Sequence, residues 1–448
     1  MTERAGTFLF IENREKTWFW DAVAAELERR GHKISWIVQN PMFTPKLTPG
    51  DIHRIPFPRA DQLQPYSFAR NPVLEGERGS GYFAAGSDHF SYYEAAIEII
   101  IDAVCPDVGI GETTLFQELM SADLLAKRGI PFLHPSAERY PQACFSLLDG
   151  PTQNPFLEPG EQMAEAEAEA LAQRIYTRAE VLIYMKPQSA LAKQWNRLRW
   201  ASGRAKVTFA RWLGERYNTP SLRHKLALAR ENERLCSLWR AHESQPEAGE
   251  RSILYPLQMQ PEASIDVWGL PYNDQLDLVR RLAAAVPDDV SISIKANPKT
   301  KYEMKQSLID FAIAHPRIHL LPLSMKMDEA QPLCVGAITV CGTVGLEAVF
   351  GRGRCISLRH PILNRYFPDF AAETPEEAIE KLLAMPHAGI GSRDMGARYL
   401  QAIRAQAYPG WISDPFSMPE CLDADNVALV ANGLEAGLAQ VRSQRIAT

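Results

Sequence analysis

The chain has 448 residues, of which 46% are hydrophobic, 23% charged and 9% aromatic. This balance is ordinary for a soluble globular protein, and the length predicts two or three domains, each able to bury a full core. The net charge of −6 gives no reason to expect a nucleic-acid partner.

The first apolar run, FLFI at 8–11, is too short for a signal peptide or a membrane span, and no later run is long enough. The seven cysteines are scattered and contain no C-x-x-C pair, which favours reduced thiols over a disulfide framework or a zinc site. We therefore expect a cytoplasmic protein with no metal and no cofactor.

The N-terminal third alternates strands and helices. The predicted elements are strand 7–11, helix 18–30, strand 33–38, helix 93–104, strand 107–110, helix 115–128 and strand 130–133. Such alternation predicts a parallel sheet with helices on both faces. Residues 39–86 are rich in Pro, Gly and Arg with weak periodicity, and a long irregular stretch of this kind is typical of functional loops.

The middle of the chain is basic. After an Ala/Glu-rich helix at 161–174, residues 186–240 hold thirteen Lys and Arg against three acidic residues, Glu215, Glu231 and Glu233. Four tryptophans lie among them: Trp195, Trp200, Trp212 and Trp239. This stretch is either a surface that docks on anionic lipid headgroups or a solvated helical face whose tryptophans pack on the core.

A polar linker at 241–252 precedes a second alternating region. Its predicted elements are strand 253–257, helix 272–286, strand 290–295, helix 304–315, strands 318–321 and 337–340, helix 344–350, strand 355–358, and helices 375–384, 392–407 and 424–441. No internal sequence repeat is visible, but we expect the two halves to share one fold. The predicted segments are an N-terminal Rossmann-like acceptor domain (1–185), the basic segment and linker (186–250), a C-terminal Rossmann-like donor domain (251–390) and C-terminal helices (391–448).

Ligands of open α/β sheets bind where strands end, so the loops after strands are the informative segments. The segment VCGTVGLEAVFGRG at 340–353 brings Gly342, Thr343 and Gly345 to a helix start, where small residues and backbone N–H groups favour a phosphate. Glu347 lies about one turn further on, where it could accept from ribose hydroxyls. The alternative is a plain strand-to-helix turn whose glycines only permit tight packing.

Two more loops follow strands in the same region. In KANPKT, Lys295 ends a strand before the turn at Asn297-Pro298 and could meet a phosphate; a surface lysine beside a turn is the alternative. In PLQMQPEAS, Gln258, Gln260 and Glu262 place polar groups on one side of an extended turn, which suits reading a base or sugar. Together the three loops predict a site for a nucleotide mono- or diphosphate donor.

These motifs resemble the bacterial capsule-polysaccharide biosynthesis glycosyltransferases, the group that contains the β-Kdo transferases. The resemblance is carried by YPLQMQPEAS with a downstream YNDQ, IKANP, ITVCGTVGLEAVFGRG and LRHPILNRYFPDF across 253–370, and more loosely by GIGETT and IPFLHPSAERYPQACFSLLDG. It implies a GT-B fold, in which two Rossmann-like domains face across a cleft, and metal-independent sugar transfer. It also implies donor contacts at Gln260, Pro261, Glu262, Lys295, Gly342, Thr343 and Glu347.

The chain departs from this family at one position of the donor motif. Relatives commonly carry His-Pro where this chain has Asn297-Pro298, and the resemblance implies that the His meets the donor phosphate. Asparagine can donate a hydrogen bond there but cannot carry a charge. The change therefore bears on which donor is used.

Sugar transfer needs a carboxylate or histidine near the anomeric carbon. Glu112 in GIGETT is the first candidate, with a helix-start carboxylate as the alternative. Asp88 and His89 form a second pair, although Asp88 could simply cap the following helix.

Three further residues are candidates for substrate binding. Glu12 and Asn13 follow the first strand, and either they line the cleft or they merely end the strand. Arg139 could neutralise an acidic sugar or a phosphate, or form a surface ion pair.

The favoured function is a glycosyltransferase that moves a sugar from a nucleotide-sugar donor to a glycan or lipid-linked acceptor in capsule or surface-polysaccharide biosynthesis, with CMP-Kdo or a similar CMP-linked acidic sugar as the favoured donor. The alternatives are a UDP- or GDP-sugar transferase, a non-hydrolysing sugar-nucleotide epimerase, a polyol-phosphate transferase and a non-catalytic assembly protein. If the basic stretch docks on lipid, the protein works at the inner face of the membrane.

Overall fold

The computed structural model describes residues 5–152, 154–155, 163–180, 205, 209–297 and 299–447. The described residues fall into two compact units. Unit 1 lies within Met1–Gln162, Val181–Ser221 and Ile403–Thr448, and unit 2 within Met163–Glu180 and Leu222–Ala402.

The strands, in chain order, are β1 Thr7–Ile11, β2 Lys33–Val38, β3 Ile52–Arg54, β4 Val108–Ile110, β5 Phe132–Ala137, β6 Cys144–Asp149, β7 Asn154–Pro155, β8 Arg251–Pro256, β9 Val290–Lys295, β10 Ile318–Leu320, β11 Gly336–Thr339, β12 Cys355–Ser357 and β13 Ala407–Pro409. The α-helices are Thr17–Arg29, Arg78–Tyr82, Phe90–Val104, Phe116–Ala126, Glu165–Tyr176, Leu222–Ala241, Ala263–Asp266, Gln275–Ala285, Gln306–Ala314, Met327–Ala330, Thr343–Val349, Pro361–Tyr366, Pro375–Ala384, Arg393–Gln406 and Ala424–Ala447.

The sheet of unit 1 has the order β13-β6-β5-β4-β1-β2-β3, with β7 paired to β6. The strands from β5 to β3 are parallel, and β6 and β13 add to one edge in antiparallel fashion. The sheet of unit 2 has the order β10-β9-β8-β11-β12 and is parallel throughout. Counted within each unit, both parallel sheets have the doubly wound order 3-2-1-4-5, so the prediction of two Rossmann-like α/β domains is confirmed.

The core of unit 1 joins the two ends of the chain. Aromatic side chains from the strands, such as Phe8 and Trp36, share one buried cluster with Val430 and Leu434 of the C-terminal helix Ala424–Ala447. Burial of side chains of this size stabilises the fold by about 2–3 kcal/mol each. The C-terminal helix therefore completes unit 1, whereas the sequence pattern had set 391–448 apart as a separate helical segment.

Most predicted elements agree with the structure to within a few residues, and strands 7–11, 33–38 and 290–295 agree at both ends. The alternating pattern did not predict β3, β6, β7 or β13. The region 39–86, predicted to be irregular, contains β3 and the helix Arg78–Tyr82.

The predicted basic segment is described only in part, since 186–204 and 206–208, with Trp195 and Trp200, lie outside the described residues. In the described part, Trp239 is fully buried and donates its indole N–H to the carbonyl of Leu321 at 2.8 Å, as the core-packing interpretation requires. Trp212, in contrast, is 78% exposed. Among the described helices, none combines the length and the apolar character that a membrane crossing needs.

Candidate functional site

The switch point of each sheet, where the strand order reverses, lies between β1 and β4 in unit 1 and between β8 and β11 in unit 2. Ligands of doubly wound sheets bind beside such a point, outside the carboxyl ends of the strands. The candidates follow strand ends or begin the next helix: Glu12, Asn13, Asp88, His89, Glu112 and Arg139 in unit 1, and Gln258, Gln260, Pro261, Glu262, Lys295, Asn297, Gly342, Thr343, Gly345 and Glu347 in unit 2. Pro298 lies outside the described residues.

Both loops at the switch point of unit 1 contain a strained backbone. Arg14, after β1, and Thr113, after β4, have φ angles of 47° and 50°, in the left-handed region. A side chain in this region costs roughly 1–2 kcal/mol, and such residues concentrate at functional sites. The Thr113 hydroxyl lies 3.2 Å from Nδ1 of His134, which is buried and whose pKa burial lowers to about 3.

Glu112 is held between a cation and an indole. One of its carboxylate oxygens forms an ion pair with the Lys16 ammonium, and the other accepts from Trp20 Nε1 at 3.1 Å. Its backbone N–H donates to Glu118 Oε1 at 2.7 Å. Glu118 also accepts from Asn13 Nδ2 at 2.9 Å, so it ties the loops after β1 and β4 together. The candidate carboxylate is thus fixed beside the switch point.

Asp88 and His89 do not form the predicted pair. Asp88 is exposed, and the helix Phe90–Val104 begins at His89 without a side-chain cap, so the capping role expected for Asp88 is not observed either. His89 is buried, and neither ring nitrogen has a hydrogen-bond partner among the described residues. Burial lowers the pKa of His89 to about 3, and its ring stacks on Tyr217 at 3.5 Å between ring centroids.

Arg139 is exposed in the turn between β5 and β6. The neighbouring Glu138 is half-buried, and its carboxylate accepts from the Ser146 hydroxyl at 2.5 Å. Burial raises the pKa of Glu138 to about 7, against the hydrogen bond from Ser146 and the charge of Arg139.

Glu12 is buried, as is the carboxyl group of Glu215, which is not among the site residues predicted from the sequence. Burial and the nearby Glu215 together raise the pKa of Glu12 to about 8, and hydrogen bonds from backbone N–H groups oppose this shift. Burial likewise raises the pKa of Glu215 to about 7. The signal in the sequence is the isolation of Glu215 within a basic stretch.

The two loops at the switch point of unit 2 are joined through Gln258. Its Nε2 lies 3.3 Å from the Cys341 sulfur, and its Oε1 accepts from the Cys341 backbone N–H at 3.3 Å. Gln260 is buried, and its amide bonds Asp266 Oδ1 at 2.6 Å and Gln275 Nε2 at 3.0 Å, so it positions the loop internally. Glu262 is exposed.

Lys295 ends β9 and is buried, with its ammonium 3.2 Å from the carbonyl of Ala296. Burial lowers the pKa of Lys295, and the negative charge of Glu329 opposes this shift. Within the described residues, no carboxylate lies within ion-pair distance of Lys295. The next candidate, Asn297, accepts from the Lys299 backbone N–H at 2.9 Å and so closes its own turn.

The Gly342 loop opens a helix of only seven residues, Thr343–Val349. A Cβ atom added at Gly345 would lie 3.1 Å from Leu363 Cδ1, so this glycine serves close packing, as the alternative interpretation held. Glu347 is half-buried, and burial raises its pKa against the charges of Arg352 and Arg178.

A cavity of about 720 Å³ in unit 2 lies at the opposite, amino-terminal edge of the sheet, lined by residues such as Arg251, Gly336, Arg354 and His387. Among the described residues of the predicted donor loops, only Gly353, the last residue of the segment 340–353, lines it. The described residues contain no group of three or more His, Cys, Asp or Glu side chains placed to hold a metal ion.

No protein-family model matches the chain, and a search of curated proteins found no match. Three solved structures are similar over most of their length. The UDP-GlcNAc 2-epimerase from Methanocaldococcus jannaschii is 14% identical, with 89% of this chain and 98% of that chain covered and a TM-score of 0.25. The KpsC β-Kdo 2,7 transferase of Thermosulfurimonas dismutans is 11% identical, with 74% and 90% covered and a TM-score of 0.32. The spinosyn rhamnosyltransferase SpnG is 11% identical, with 93% and 100% covered and a TM-score of 0.26.

With TM-scores at this level, the assignment of the fold rests on the strand order of the two sheets rather than on these likenesses.

Proposed function

We propose that the chain is a glycosyltransferase that binds a nucleotide-sugar donor on unit 2 and an acceptor on unit 1. One observation carries the proposal: three loops that are far apart in the sequence follow the neighbouring strands β9, β8 and β11, so they lie together at the carboxyl edge of the sheet. They bring Lys295, Gln258 and Thr343 to the same edge. These are the loops that resemble the capsule-polysaccharide glycosyltransferases.

Lys295 gives the donor site its charge. A buried ammonium group without a carboxylate partner is costly, and a bound anion would offset that cost. A donor phosphate is the matching anion, since phosphates bind between a cation and backbone N–H groups. Gln258 then reads the base or sugar together with the Cys341 backbone.

Glu112 is the proposed catalytic carboxylate on unit 1. Its ion pair with Lys16 and its hydrogen bond from Trp20 fix both oxygens. A fixed carboxylate suits proton abstraction from an acceptor hydroxyl or stabilisation of positive charge at the anomeric carbon. By the resemblance, the first donor to consider is CMP-Kdo or another CMP-linked acidic sugar, used in capsule or surface-polysaccharide assembly.

The test is nucleotide release from CMP-, UDP- and GDP-sugars, with and without an acceptor glycan. The proposal expects one nucleotide class to be released faster when acceptor is present. Product formation without any acceptor, with the sugar inverted at one carbon, would point instead to an epimerase. Absence of turnover with every donor would contradict the proposal.

We further propose that the helical segment 209–213 contacts an anionic membrane surface. Trp212 is 78% exposed, Phe209 58% and Leu213 48%, and basic residues such as Arg211 and Arg216 lie in the same part of the chain. Exposed aromatic and basic side chains together suit the headgroup region. Flotation with vesicles containing anionic lipid, at low salt, should carry the protein upward, and Trp212→Ser should reduce this; no flotation of the wild type would end the idea.

A further inference from the structure

Unit 1 contains a group of buried polar side chains that neither Glu112 nor the donor site accounts for. Glu12, Gln39, Tyr93, Glu215 and Asn218 are each at most 6% exposed, and we name these five residues the polar cluster. They come from the ends of β1 and β2, from the helix Phe90–Val104 and from the loop that follows residue 213. The cluster therefore gathers distant parts of the chain at the carboxyl edge of one sheet.

Hydrogen bonds that pass through Gln117 join four of these residues, all except Tyr93, into one network. Gln117 Nε2 donates to the backbone carbonyl of Glu12 at 3.1 Å, and Asn218 Nδ2 donates to Gln117 Oε1 at 3.0 Å. The same amide lies 3.1 Å from Glu215 Oε2. The backbone N–H of Gln39 faces Glu12 Oε2 at 3.4 Å. The two carboxyl groups thus lie in one connected site.

Several polar atoms of the cluster lack a hydrogen-bond partner within the described residues. They are both side-chain polar atoms of Gln39, the Tyr93 hydroxyl and Asn218 Oδ1. Each unsatisfied buried group costs about 1–3 kcal/mol, and native proteins contain few of them. Asn218 Oδ1 belongs to the same amide group whose nitrogen bonds Gln117 and Glu215, so this unpartnered oxygen lies within the network. A bound molecule with several hydroxyl groups would satisfy them.

The charges of the cluster restrict the class of that molecule. Burial raises the pKa of Glu12 to about 8 and that of Glu215 to about 7, so near neutral pH both carboxyl groups are largely protonated and can donate as well as accept hydrogen bonds. The remaining groups are amides and a phenol, which both donate and accept hydrogen bonds. This mixture of uncharged donors and acceptors fits a neutral, hydroxyl-rich ligand, and the nearby cations Arg14 and Arg211 interact with Glu215.

We propose that the polar cluster binds a neutral sugar unit of the acceptor, whose hydroxyl groups donate to Glu12 and Glu215 and bond Gln39, Tyr93 and Asn218. This inference rests on the proposed function, because only a glycosyltransferase has an acceptor. It adds the residues of unit 1 that would bind the acceptor and the chemical class of the bound unit. His89, stacked on Tyr217 beside Glu215, borders the same site.

The test measures glycoside binding to the full chain in the absence of nucleotide. The probes are methyl β-D-glucopyranoside, methyl β-D-galactopyranoside and mannitol, followed by saturation-transfer NMR, with inorganic phosphate as the anionic comparison. Tyr93→Phe removes only an unpartnered hydroxyl, so we expect unchanged or raised thermal stability with affinity about 3–10-fold weaker. Asn218→Ala should weaken binding similarly.

Glu138→Gln is the control, because Glu138 is a half-buried residue of unit 1 whose carboxyl pKa is also raised by burial but which lies outside the cluster. It should bind the probes as the wild type does. The proposal is overturned if the wild type binds none of the probes, if phosphate binds in their place, or if Tyr93→Phe and Asn218→Ala both retain full affinity. Nucleotide affinity, which depends on Lys295, is measured separately, so its loss would contradict the donor site without touching this result.

Discussion

In the wild type, Trp20 Nε1 donates to a Glu112 carboxylate oxygen at 3.1 Å. Replacing Glu112 by Gln removes one negative charge but keeps an oxygen that can accept this hydrogen bond. The Lys16 ammonium loses its partner, but the Lys16 side chain is 31% exposed and can turn to water. The lost pair should therefore cost about 1–2 kcal/mol, between the values for surface and buried pairs, and lower the melting temperature by a few degrees. Transfer should fall by about 10²–10⁴-fold, the usual contribution of a positioned acid or base.

The assay is nucleotide release with saturating donor and acceptor, together with nucleotide affinity by calorimetry and thermal melting. Nucleotide affinity should stay unchanged, since Glu112 belongs to unit 1. Lys16→Met is the control that breaks the same ion pair but keeps the carboxylate, so it should share the loss of stability and retain much more activity. If Glu112→Gln turned over at nearly the wild-type rate, or if Lys16→Met lost as much activity, the catalytic role of Glu112 would be refuted.

Three further predictions address the charges and packing. Burial raises the pKa values of Glu12 and Glu215, so the folded state binds more protons than the unfolded state between their ordinary value of 4.5 and about 8. Stability should therefore fall as pH rises across this window, and Glu12→Gln should flatten the fall in thermal melts; a rise would contradict it. Lys295→Met should weaken nucleotide binding by about 10-fold or more, whereas Lys299→Met, at an exposed position of the same loop, should not, as calorimetry would show. Gly433→Leu should destabilise unit 1 by about 1–3 kcal/mol, because an added Cβ would lie 2.6 Å from a phenyl ring carbon of the β6 strand; equal melting temperatures would contradict this.

Periodicity predicted most of the parallel strands because each is a short apolar run followed by a helix with its own apolar stripe. β6 and β13 escaped prediction for different reasons. The run CFSLLD of β6 carries no alternating pattern, and β13 is three residues long and ends in a proline. Its strand character comes from pairing with β6, whose partner residues lie far away in the sequence.

The sequence predicted which loops form the candidate site, because these loops follow strand ends. It did not predict the hydrogen-bond partners or the burial of individual side chains, which depend on tertiary contacts. The loops after β8, β9 and β11 could be named from the sequence, since strand order brings such loops together. The internal use of the Gln260 amide could not, because its partners Asp266 and Gln275 become neighbours only on folding. Glu215 was missed for the same reason: its burial beside Glu12 depends on how the loop after residue 213 packs.

Hydrogen–deuterium exchange of the full chain with CMP and with UDP tests the donor site most directly. Our account predicts that one of these nucleotides slows exchange in peptides covering 257–262, 295–300 and 340–347, and that Lys295→Met abolishes the effect. Protection confined to peptides around Arg251 and His387, which line the cavity at the other edge of the sheet, would contradict it, as would the absence of protection by either nucleotide.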